Sequence, residues 1–392
     1  MIELLAPAGS LEKLKIAIIY GADAVFIGGQ DFSLRARASN FSLADIKEAT
    51  TFAHERGKKV YVTTNIIPHD EDLHGLADYL KGLAENGVDA IICASPAIID
   101  VARTHTELEI HLSTQQSTLS TNAVNFWYGR GVKRIVLARE LDLQEIKTVT
   151  AKTKADIEVF IHGGMCMSFS GRCSLSDNMT GRDANRGGCA HSCRWRYQLK
   201  EAGKEVSPMP FTMSSKDLQA IKHIPDLIDA GVASLKIEGR MKSLHYIATV
   251  VSTYRRVIDE YIKTGNIEDI DAYDMEISKA ENRLTAAGFL EGDPGVEAQL
   301  FDLNAEKPSQ LFIGLVKFYD QTTKIVTIEQ RNHFKCGDRI EIFNPSGSRY
   351  EMTITEMTDD NGISLDVARH PQQIINIPVD FHCEVDAMVR KL

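Results

Sequence analysis

Residues 2–29 read IELLAPAGSLEKLKIAIIYGADAVFIGG, and they contain one strand–helix–strand unit. The apolar runs IELLAP at 2–7 and AVFIGG at 24–29 predict two buried strands. Between them, SLEKLKIAIIYG predicts a helix with Ser10 as its N-cap and Gly21 as its C-terminal stop. A strand, a helix and a strand in this order form the repeating unit of a parallel sheet.

The same alternation continues along the chain. Six further runs predict strands: KVYVTTN at 59–65, AIICAS at 90–95, EIHLSTQ at 109–115, RIVLAR at 134–139, IEVFIHG at 157–163 and SLKIEG at 234–239. Eight strands separated by helices predict an α/β fold, a (β/α)8 TIM-like barrel. An open dinucleotide-binding sheet is disfavoured, because no G-x-G-x-x-G follows any strand.

The chain divides into two predicted domains. Residues 1–300 form the barrel domain, with a Cys-rich insertion at 163–213 between strands seven and eight and a helical extension at 242–290. Residues 308–392 form a small antiparallel β-barrel domain, because six short alternating strands follow a polar linker. These strands are LFIGLVKFYD (311–320), KIVTIEQ (324–330), CGDRIEIFN (336–344), EMTITEM (351–357), ISLDV (363–367) and FHCEVDAMV (381–389).

Composition narrows the class of protein. Of 392 residues, 43% are hydrophobic and 25% charged, which is typical of a globular protein with a substantial core. The formal net charge of −10 argues against indiscriminate nucleic-acid binding. The N-terminus lacks a signal-peptide pattern and no apolar run is long enough to span a bilayer, so we expect a cytoplasmic protein without a membrane partner. The oligomeric state is not predicted.

Four of the seven cysteines lie in HGGMCMSFSGRCSLSDNMTGRDANRGGCAHSCRWRY, residues 162–197. Cys166, Cys173, Cys189 and Cys193 follow the spacing C-x6-C-x15-C-x3-C. In a reducing cytoplasm such clustering indicates a metal centre rather than disulfides. An iron–sulfur cluster is favoured over zinc, because structural zinc sites commonly use C-x2-C pairs. Zinc and unmetallated thiols remain alternatives.

Part of this stretch resembles the signature of the peptidase U32 family. The segment EVFIHGGMCMSFSGRCSLS, residues 158–176, carries the matching residues Glu158, Phe160, Gly163, Cys166, Gly171, Cys173 and Ser176. Gly164 departs from the family pattern, which has Ser or Ala there. The opening ELLAPAGS, the STQ after the fifth strand and KIEGR at 236–240 also resemble this family.

The resemblance implies a chemistry. Family members carry a 4Fe-4S cluster on four cysteines, here Cys166, Cys173, Cys189 and Cys193, and take part in oxygen-independent hydroxylation. The chain length and the added β domain most resemble the branch that hydroxylates the wobble uridine of tRNA to 5-hydroxyuridine with prephenate as co-substrate. Other branches hydroxylate a ribosomal RNA cytidine or act in ubiquinone synthesis.

Polar residues follow several strands, at the end of the barrel where such enzymes build their active sites. We predict His162, Glu238 and Glu140 as catalytic residues. A small dicarboxylic co-substrate needs paired cations, and arginine binds carboxylates in bidentate fashion. The predicted substrate-binding residues are therefore Arg139 and Arg240, then Arg35 and Arg37, with Asn65 and Gln115 beside them. An Arg139–Glu140 ion pair and a structural His162 are the alternatives.

The insertion has a basic and aromatic face. Residues 163–200 contain six basic and two acidic side chains. Arginines can hold phosphates while aromatic rings stack on unpaired bases. We therefore predict an RNA-binding face for a tRNA anticodon loop, formed by Arg172, Arg182, Arg186, Arg194 and Arg196. Trp195 and Tyr197 would stack on bases or, alternatively, shield the cluster from water.

Three other functions remain open. The family label suggests a peptidase, of the collagenase type, but the sequence has no G-x-S-x-G or H-E-x-x-H motif. A cysteine peptidase that uses Cys166 and His162 is compatible with the spacing. The chain could also hydroxylate another RNA, or act without catalysis as an iron–sulfur RNA-binding or redox protein.

Overall fold

The structure, a computed structural model, describes residues 2–34, 40–206, 209–280, 283–301 and 311–392. Eight parallel strands form a closed barrel, in which the eighth strand pairs with both the first and the seventh. The predicted (β/α)8 fold and all eight predicted strands are confirmed. The strands are β1 (Glu3–Pro7), β2 (Ala24–Gly28), β3 (Lys59–Thr64), β4 (Ala90–Cys93), β5 (Glu109–Leu112), β6 (Arg134–Val136), β7 (Asp156–Gly163) and β8 (Ser234–Ile237).

Helices surround this barrel. The predicted cap of the first helix is confirmed, because the Ser10 hydroxyl accepts a hydrogen bond from the Lys13 N–H. Gly21 follows with φ +110°, a left-handed conformation that favours glycine and ends the helix. The helices are α1 (Leu11–Ile19), α2 (Leu43–His54), α3 (Leu76–Glu85), α4 (Pro96–His105), α5 (Thr121–Tyr128), α6 (Leu143–Ala151), α7 (Leu175–Thr180), α8 (Ile224–Asp229), α9 (Leu244–Thr264) and α10 (Ile270–Ser278).

The inside of the barrel is filled by side chains. A small apolar cluster that includes Phe26 and Tyr61 lies separately from the larger core between the strands and the helices. Beside it, fully buried Glu158 accepts a hydrogen bond from Lys236 at 2.7 Å and contacts Arg134 at 3.4 Å. The charges of Lys236 and Arg134 outweigh the effect of burial and hold the pKa of Glu158 below its usual value. Because the interior is packed, a ligand would have to bind at the mouth.

The insertion between β7 and β8 contains short elements only. One of them, the strand Asp217–Gln219, runs antiparallel to the end of β7 and joins the insertion to the barrel wall. The other short strands in this half of the chain are Lys200–Glu201, Lys204–Glu205, Ser214–Ser215, Thr285–Ala286 and Gln299–Leu300. The 3-10 turns are Asp70–Leu73, Thr114–Gln116, Phe169–Gly171, Ala184–Arg186, Ser192–Arg194, Ile221–His223 and Val296–Ala298.

The C-terminal region is a curled antiparallel sheet with its own core, as predicted. Its strands are β9 (Leu311–Asp320), β10 (Ile325–Gln330), β11 (Arg339–Phe343), β12 (Arg349–Thr353), β13 (Ile374–Pro378) and β14 (Met388–Lys391), in the order β12-β11-β14-β9-β10-β13. The prediction missed β13. In the predicted strand ISLDV, only Val367 belongs to a strand, the two-residue Val367–Ala368, which pairs with Phe334–Lys335.

The β domain packs against the barrel through polar as well as apolar contacts. The Tyr20 hydroxyl, at the end of α1, donates to the carbonyl oxygens of Phe343 and Asp386. Fully buried Arg390 of β14 donates to the Glu276 carboxylate of α10 at 2.8 and 3.1 Å. Burial alone would raise the pKa of Glu276, but hydrogen bonds and charge from the arginines lower it to about 2. The interface therefore contains a buried carboxylate that stays ionised.

Of the helices in the described ranges, none combines the length and the apolar character needed to cross a bilayer.

Replacing Glu276 by glutamine should lower the free energy of unfolding by about 3 kcal/mol, because it removes the charge that buried Arg390 pairs with. Urea denaturation followed by circular dichroism measures this change. The matched control is Glu351→Gln, whose partner Arg339 is exposed and which should change stability by less than about 0.5 kcal/mol. Equal effects of the two substitutions would contradict a buried, ionised Glu276.

The stability difference between wild type and Glu276→Gln should also depend on pH. The folded pKa of about 2 lies below the ordinary value of 4.5, so the stabilisation from Glu276 is complete above that ordinary value. It should be lost progressively as the pH falls towards 2, and the two proteins should converge there.

Candidate functional site

Two predicted substrate-binding residues meet at the mouth of the barrel. Asn65, which follows β3, donates from its side-chain amide to the Gln115 carbonyl oxygen at 3.2 Å. The Asn65 side-chain oxygen in turn accepts the Leu34 N–H at 3.4 Å. Gln115 is 4% exposed, in the turn after β5. The structure therefore brings the ends of β3 and β5 together through an amide pair.

Arg240, which follows β8, lies deep in the same mouth with 4% of its surface exposed. Its guanidinium donates to the hydroxyls of Ser33 at 3.2 Å and Thr63 at 3.4 Å. Gly28 makes room for it, since a Cβ at that position would lie 1.9 Å from Arg240 Nη1. Sequence reasoning missed Ser33 and Thr63, because single hydroxyl residues form no recognisable pattern. Arg35 and Arg37, the second predicted pair, lie outside the described residues.

Arg139 and Glu140 point to different partners. The Arg139 guanidinium donates to the Gly164 carbonyl at 2.8 Å and lies 3.7 Å above the centre of the Phe160 ring. The Glu140 carboxylate accepts both the N–H and the hydroxyl of Ser170, at 2.6 and 3.0 Å. Both residues therefore attach the insertion to the end of β6, and Glu140 is a docking point as well as a catalytic candidate.

His162 does not join the mouth group. The pairing of β7 with β8 shifts register between Lys236 and Ile237, so His162 lies opposite Ile237. Its imidazole is 2% exposed, packs between Tyr246 and Tyr254 of α9, and lies 3.3 Å from the Tyr254 hydroxyl. Burial, together with the nearby charge of Lys242, lowers the pKa of His162 to about 3. A buried neutral histidine behind the barrel wall is a structural residue, and this placement argues against the predicted acid–base role.

Glu238 stays at the mouth, where its main chain crosses the start of the insertion. The Glu238 N–H donates to the His162 carbonyl at 2.8 Å, and its carbonyl accepts the Tyr246 hydroxyl at 3.0 Å. Gly163 adopts φ +105°, and a Cβ there would lie 2.3 Å from the Glu238 oxygen. Only glycine fits at this crossing, which explains the glycine in the sequence signature.

The four cysteines of the insertion are free and solvent-accessible to different extents. Partial desolvation raises the pKa of Cys166 and of Cys193, and the charges of the neighbouring cysteines raise it further. The thiols are therefore close enough to act on one another electrostatically. Within the described ranges, no three His, Cys, Asp or Glu side chains are placed to hold a single metal ion.

Hydrogen bonds to the backbone hold this loop in shape. The Ser176 hydroxyl, 1% exposed, accepts the Ala190 N–H at 2.9 Å and donates to the Gly188 carbonyl at 3.5 Å. Ser176 therefore brackets Cys189 and joins the first cysteine pair to the second. Three cysteine carbonyls are also bound: that of Cys173 by Asn185 Nδ2, that of Cys189 by Arg182 Nη2 and that of Cys193 by the Met213 N–H.

The five predicted RNA-binding arginines separate into two groups. Arg182 binds the Cys189 carbonyl, and Arg186 binds Asp72 at 2.7 Å and Glu71 at 2.9 Å, which ties the insertion to the turn after β3. The remaining three are exposed at the surface of the insertion: Arg172, Arg194 and Arg196.

The two predicted aromatic residues also differ. The Tyr197 hydroxyl donates to the Ser192 carbonyl at 2.6 Å and its ring lies near Phe211, so Tyr197 is part of the scaffold. The Trp195 side chain is 42% exposed.

A charged cluster next to Gly164 was not predicted. Asp217, 7% exposed, accepts from Arg283 at 3.0 Å and lies 3.9 Å from the Lys242 ammonium. A Cβ on Gly164 would lie 3.8 Å from Asp217 and 3.7 Å from Arg194. Lys242 could have been noticed, since it follows Arg240 by two residues. Asp217 and Arg283 are 66 residues apart in sequence and gave no signal.

Comparisons with known proteins were made for the whole chain. The family model Peptidase family U32 matches residues 9–300, and the model Peptidase family U32 C-terminal domain matches residues 308–390. The chain is 50% identical over 400 residues to tRNA hydroxylation protein P1 of Bacillus subtilis (strain 168), covering 99% of this chain and 94% of that protein.

Two Escherichia coli (strain K12) proteins are also similar. One is tRNA hydroxylation protein P, 32% identical over 435 residues, covering 98% of this chain and 95% of that protein. The other is 23S rRNA 5-hydroxycytidine C2501 synthase, 42% identical over 263 residues, covering 67% of this chain and 40% of that protein.

Replacing Ser176 by alanine should loosen the second cysteine pair, because the buried Ala190 N–H loses its acceptor at a cost of about 1–3 kcal/mol. Amide hydrogen exchange across residues 184–194 should become about tenfold faster or more. Ser174→Ala is the control, since Ser174 is exposed and its side chain makes no cap hydrogen bond. Unchanged exchange in Ser176→Ala would contradict the bracketing role.

Proposed function

The chain belongs to peptidase family U32, and we propose that it is an RNA-modifying enzyme that hydroxylates the wobble uridine of tRNA to 5-hydroxyuridine. The observation that carries this proposal is the near full-length similarity to a protein named for tRNA hydroxylation, which extends through both the barrel and the β domain. The fold alone would not suffice, since TIM barrels host many reactions. The enzyme would act in the cytoplasm on tRNA.

The cofactor that we propose is a 4Fe-4S cluster held by Cys166, Cys173, Cys189 and Cys193. Four mutually close thiols on a loop with anchored carbonyls form a suitable donor set. A single zinc ion would need sulfurs about 4 Å apart, given Zn–S bonds of about 2.3 Å, whereas a four-iron cluster binds one thiolate at each iron and accepts wider spacing. When bound, the cluster would supply redox-active iron at the mouth of the barrel.

Prephenate, a dicarboxylate, is the proposed co-substrate, and the buried mouth residues would bind it. Arg240 is held by two neutral hydroxyls, an arrangement suited to a guanidinium that receives a carboxylate. The Asn65–Gln115 amide pair lies nearby through the Ser33–Leu34 segment and would orient polar groups of the ligand. Arg139, beside Gly164 and Cys166, would place a second cation between the co-substrate and the cysteines.

Among the proposed acid–base groups, Glu238 is the residue best placed at the mouth. Glu140 would chiefly hold the insertion through Ser170, and His162 would support the wall against α9. Neither group needs to exchange a proton with substrate in this arrangement.

The geometry disfavours a cysteine peptidase. A nucleophilic cysteine needs a base within hydrogen-bond distance and a lowered pKa. The pKa of Cys166 is raised, and the imidazole of His162 faces Tyr254 in the outer layer of the barrel. Hydroxylation of another RNA and a non-catalytic role are separated from the proposal by product analysis.

Expression in a bacterial host that lacks its own tRNA hydroxylation genes should restore 5-hydroxyuridine, measured by mass spectrometry of nucleosides from purified tRNA. Cys166→Ala, Cys173→Ala, Cys189→Ala and Cys193→Ala should each abolish the product, because each removes one proposed ligand. Cys336→Ala and Cys383→Ala, which alter cysteines of the β domain, are the matched controls and should retain it. A hydroxylated nucleoside in ribosomal RNA only, or none at all, would overturn the tRNA proposal.

Anaerobic purification should yield a protein with a broad absorption band near ~400 nm and about four irons per chain. Both signals should disappear in each of the four cysteine variants and persist in Cys336→Ala. Zinc in place of iron, or no metal, would overturn the cofactor proposal.

A further inference from the structure

We propose that an exposed rim of the insertion, formed by Phe169, Trp195, Arg172, Arg194 and Arg196, binds an unpaired RNA loop. Phe169 and Trp195 stack on bases, and the three arginines contact phosphates. This inference rests on the proposed function, because it names the surface that presents RNA to the site. Phe169 was not among the residues that the sequence pointed to.

The two aromatic rings are unusually open to solvent. The Phe169 side chain is 53% exposed and that of Trp195 is 42% exposed. Phe169 lies within the loop from Cys166 to Cys173, and Trp195 follows Cys193 by two residues. Because the cysteines act on one another electrostatically, the two rings border the same thiol group.

The backbone presents Phe169 in a fixed orientation. The Phe169 carbonyl accepts the Arg172 N–H at 3.0 Å, and the next residue, Ser170, is bound through its N–H and hydroxyl to Glu140 of the barrel. Ser170 has φ +49°, a left-handed conformation that turns the chain sharply there. A ring held in this way loses little freedom on binding, which favours affinity.

Trp195 is held by a shorter turn. Its N–H donates to the Ser192 carbonyl at 3.0 Å, directly after the bound carbonyl of Cys193. A ring whose purpose was to shield the thiols would be buried. Tyr197 and Phe211 pack in that way within the insertion, whereas Phe169 and Trp195 point outwards.

Charge complementarity identifies RNA as the occupant. The chain carries a net charge of −10, yet the surface around these rings exposes three arginines that the scaffold does not use. Arg182 and Arg186, which lie on the same insertion, are already occupied by a carbonyl and by two carboxylates. The β domain is a poorer candidate, since residues 308–392 hold nine basic and twelve acidic side chains. Aromatic rings interleaved with arginines are the usual platform for unpaired bases.

The test is binding of an unmodified anticodon stem–loop RNA, measured by fluorescence anisotropy with the full-length protein. Phe169→Ala and Trp195→Ala should each weaken binding by about tenfold, the usual cost of losing one base–aromatic stack. Phe169→Tyr should restore binding. Arg172→Ala, Arg194→Ala and Arg196→Ala should each reduce the slope of log affinity against log salt by about one. A duplex RNA without a loop should bind weakly and should not respond to the aromatic substitutions.

Two exposed phenylalanines serve as matched controls. Phe126 on α5 is 49% exposed beneath the Arg130 guanidinium, and Phe318 on β9 is 58% exposed on the β domain. Phe126→Ala and Phe318→Ala should bind the stem–loop as the wild type does. Circular dichroism and iron content should be unchanged in the rim variants, so that weaker binding is not due to a lost fold or cofactor.

Several outcomes would overturn the rim. Wild-type affinity in both aromatic variants, a loss confined to Phe318→Ala, or equal binding of loop and duplex would each do so. Hydroxylation by the wild type tests the proposed function separately. If the wild type hydroxylates tRNA while the rim variants bind normally, the rim fails and the function stands. If the wild type binds the loop through the rim without hydroxylating it, the function fails and the rim stands.

Discussion

The pairing of β7 with β8 is the constraint on which the rest of the molecule depends. It closes the barrel, and its register shift opposite Ile237 sets which side chains of β7 face inwards. Glu158 remains inside with Lys236, while His162 turns towards α9. The crossing of Gly163 beneath the Glu238 carbonyl then fixes the point at which the insertion leaves the barrel. The thiols, the arginines and the exposed rim all follow from that departure point.

The insertion is held together differently from the barrel. The barrel has a continuous apolar core, whereas the insertion is ordered mainly by hydrogen bonds from side chains to main-chain carbonyls and N–H groups. Such bonds are individually modest, about 1 kcal/mol each, but they specify geometry closely. A loop of this kind leaves its thiols accessible and its outer face free of packing duties.

Much of the barrel could be predicted from the sequence because its strands are short apolar runs with clear boundaries. Strand β13 could not, since IINIP is short and ends in proline. At the site, the strand-end rule located Asn65, Gln115, Arg139 and Arg240 at the mouth. It failed for His162, because a one-residue bulge reverses the direction of a side chain and leaves no mark in the sequence. Ser33, Thr63, Asp217 and Arg283 were out of reach for another reason: their partners are distant in sequence.

The contact between the barrel and the β domain has an evolutionary consequence. Tyr20, His245 and Glu276 all belong to the barrel half, yet the Tyr20 hydroxyl, the His245 ring and the Glu276 carboxylate find partners on the β domain. A barrel of this sequence deprived of that domain would leave a carboxylate, a hydroxyl and an imidazole on a partly apolar face. The two halves are thus committed to each other. Exchange of the β domain for another module during evolution would require at least these three barrel positions to change with it.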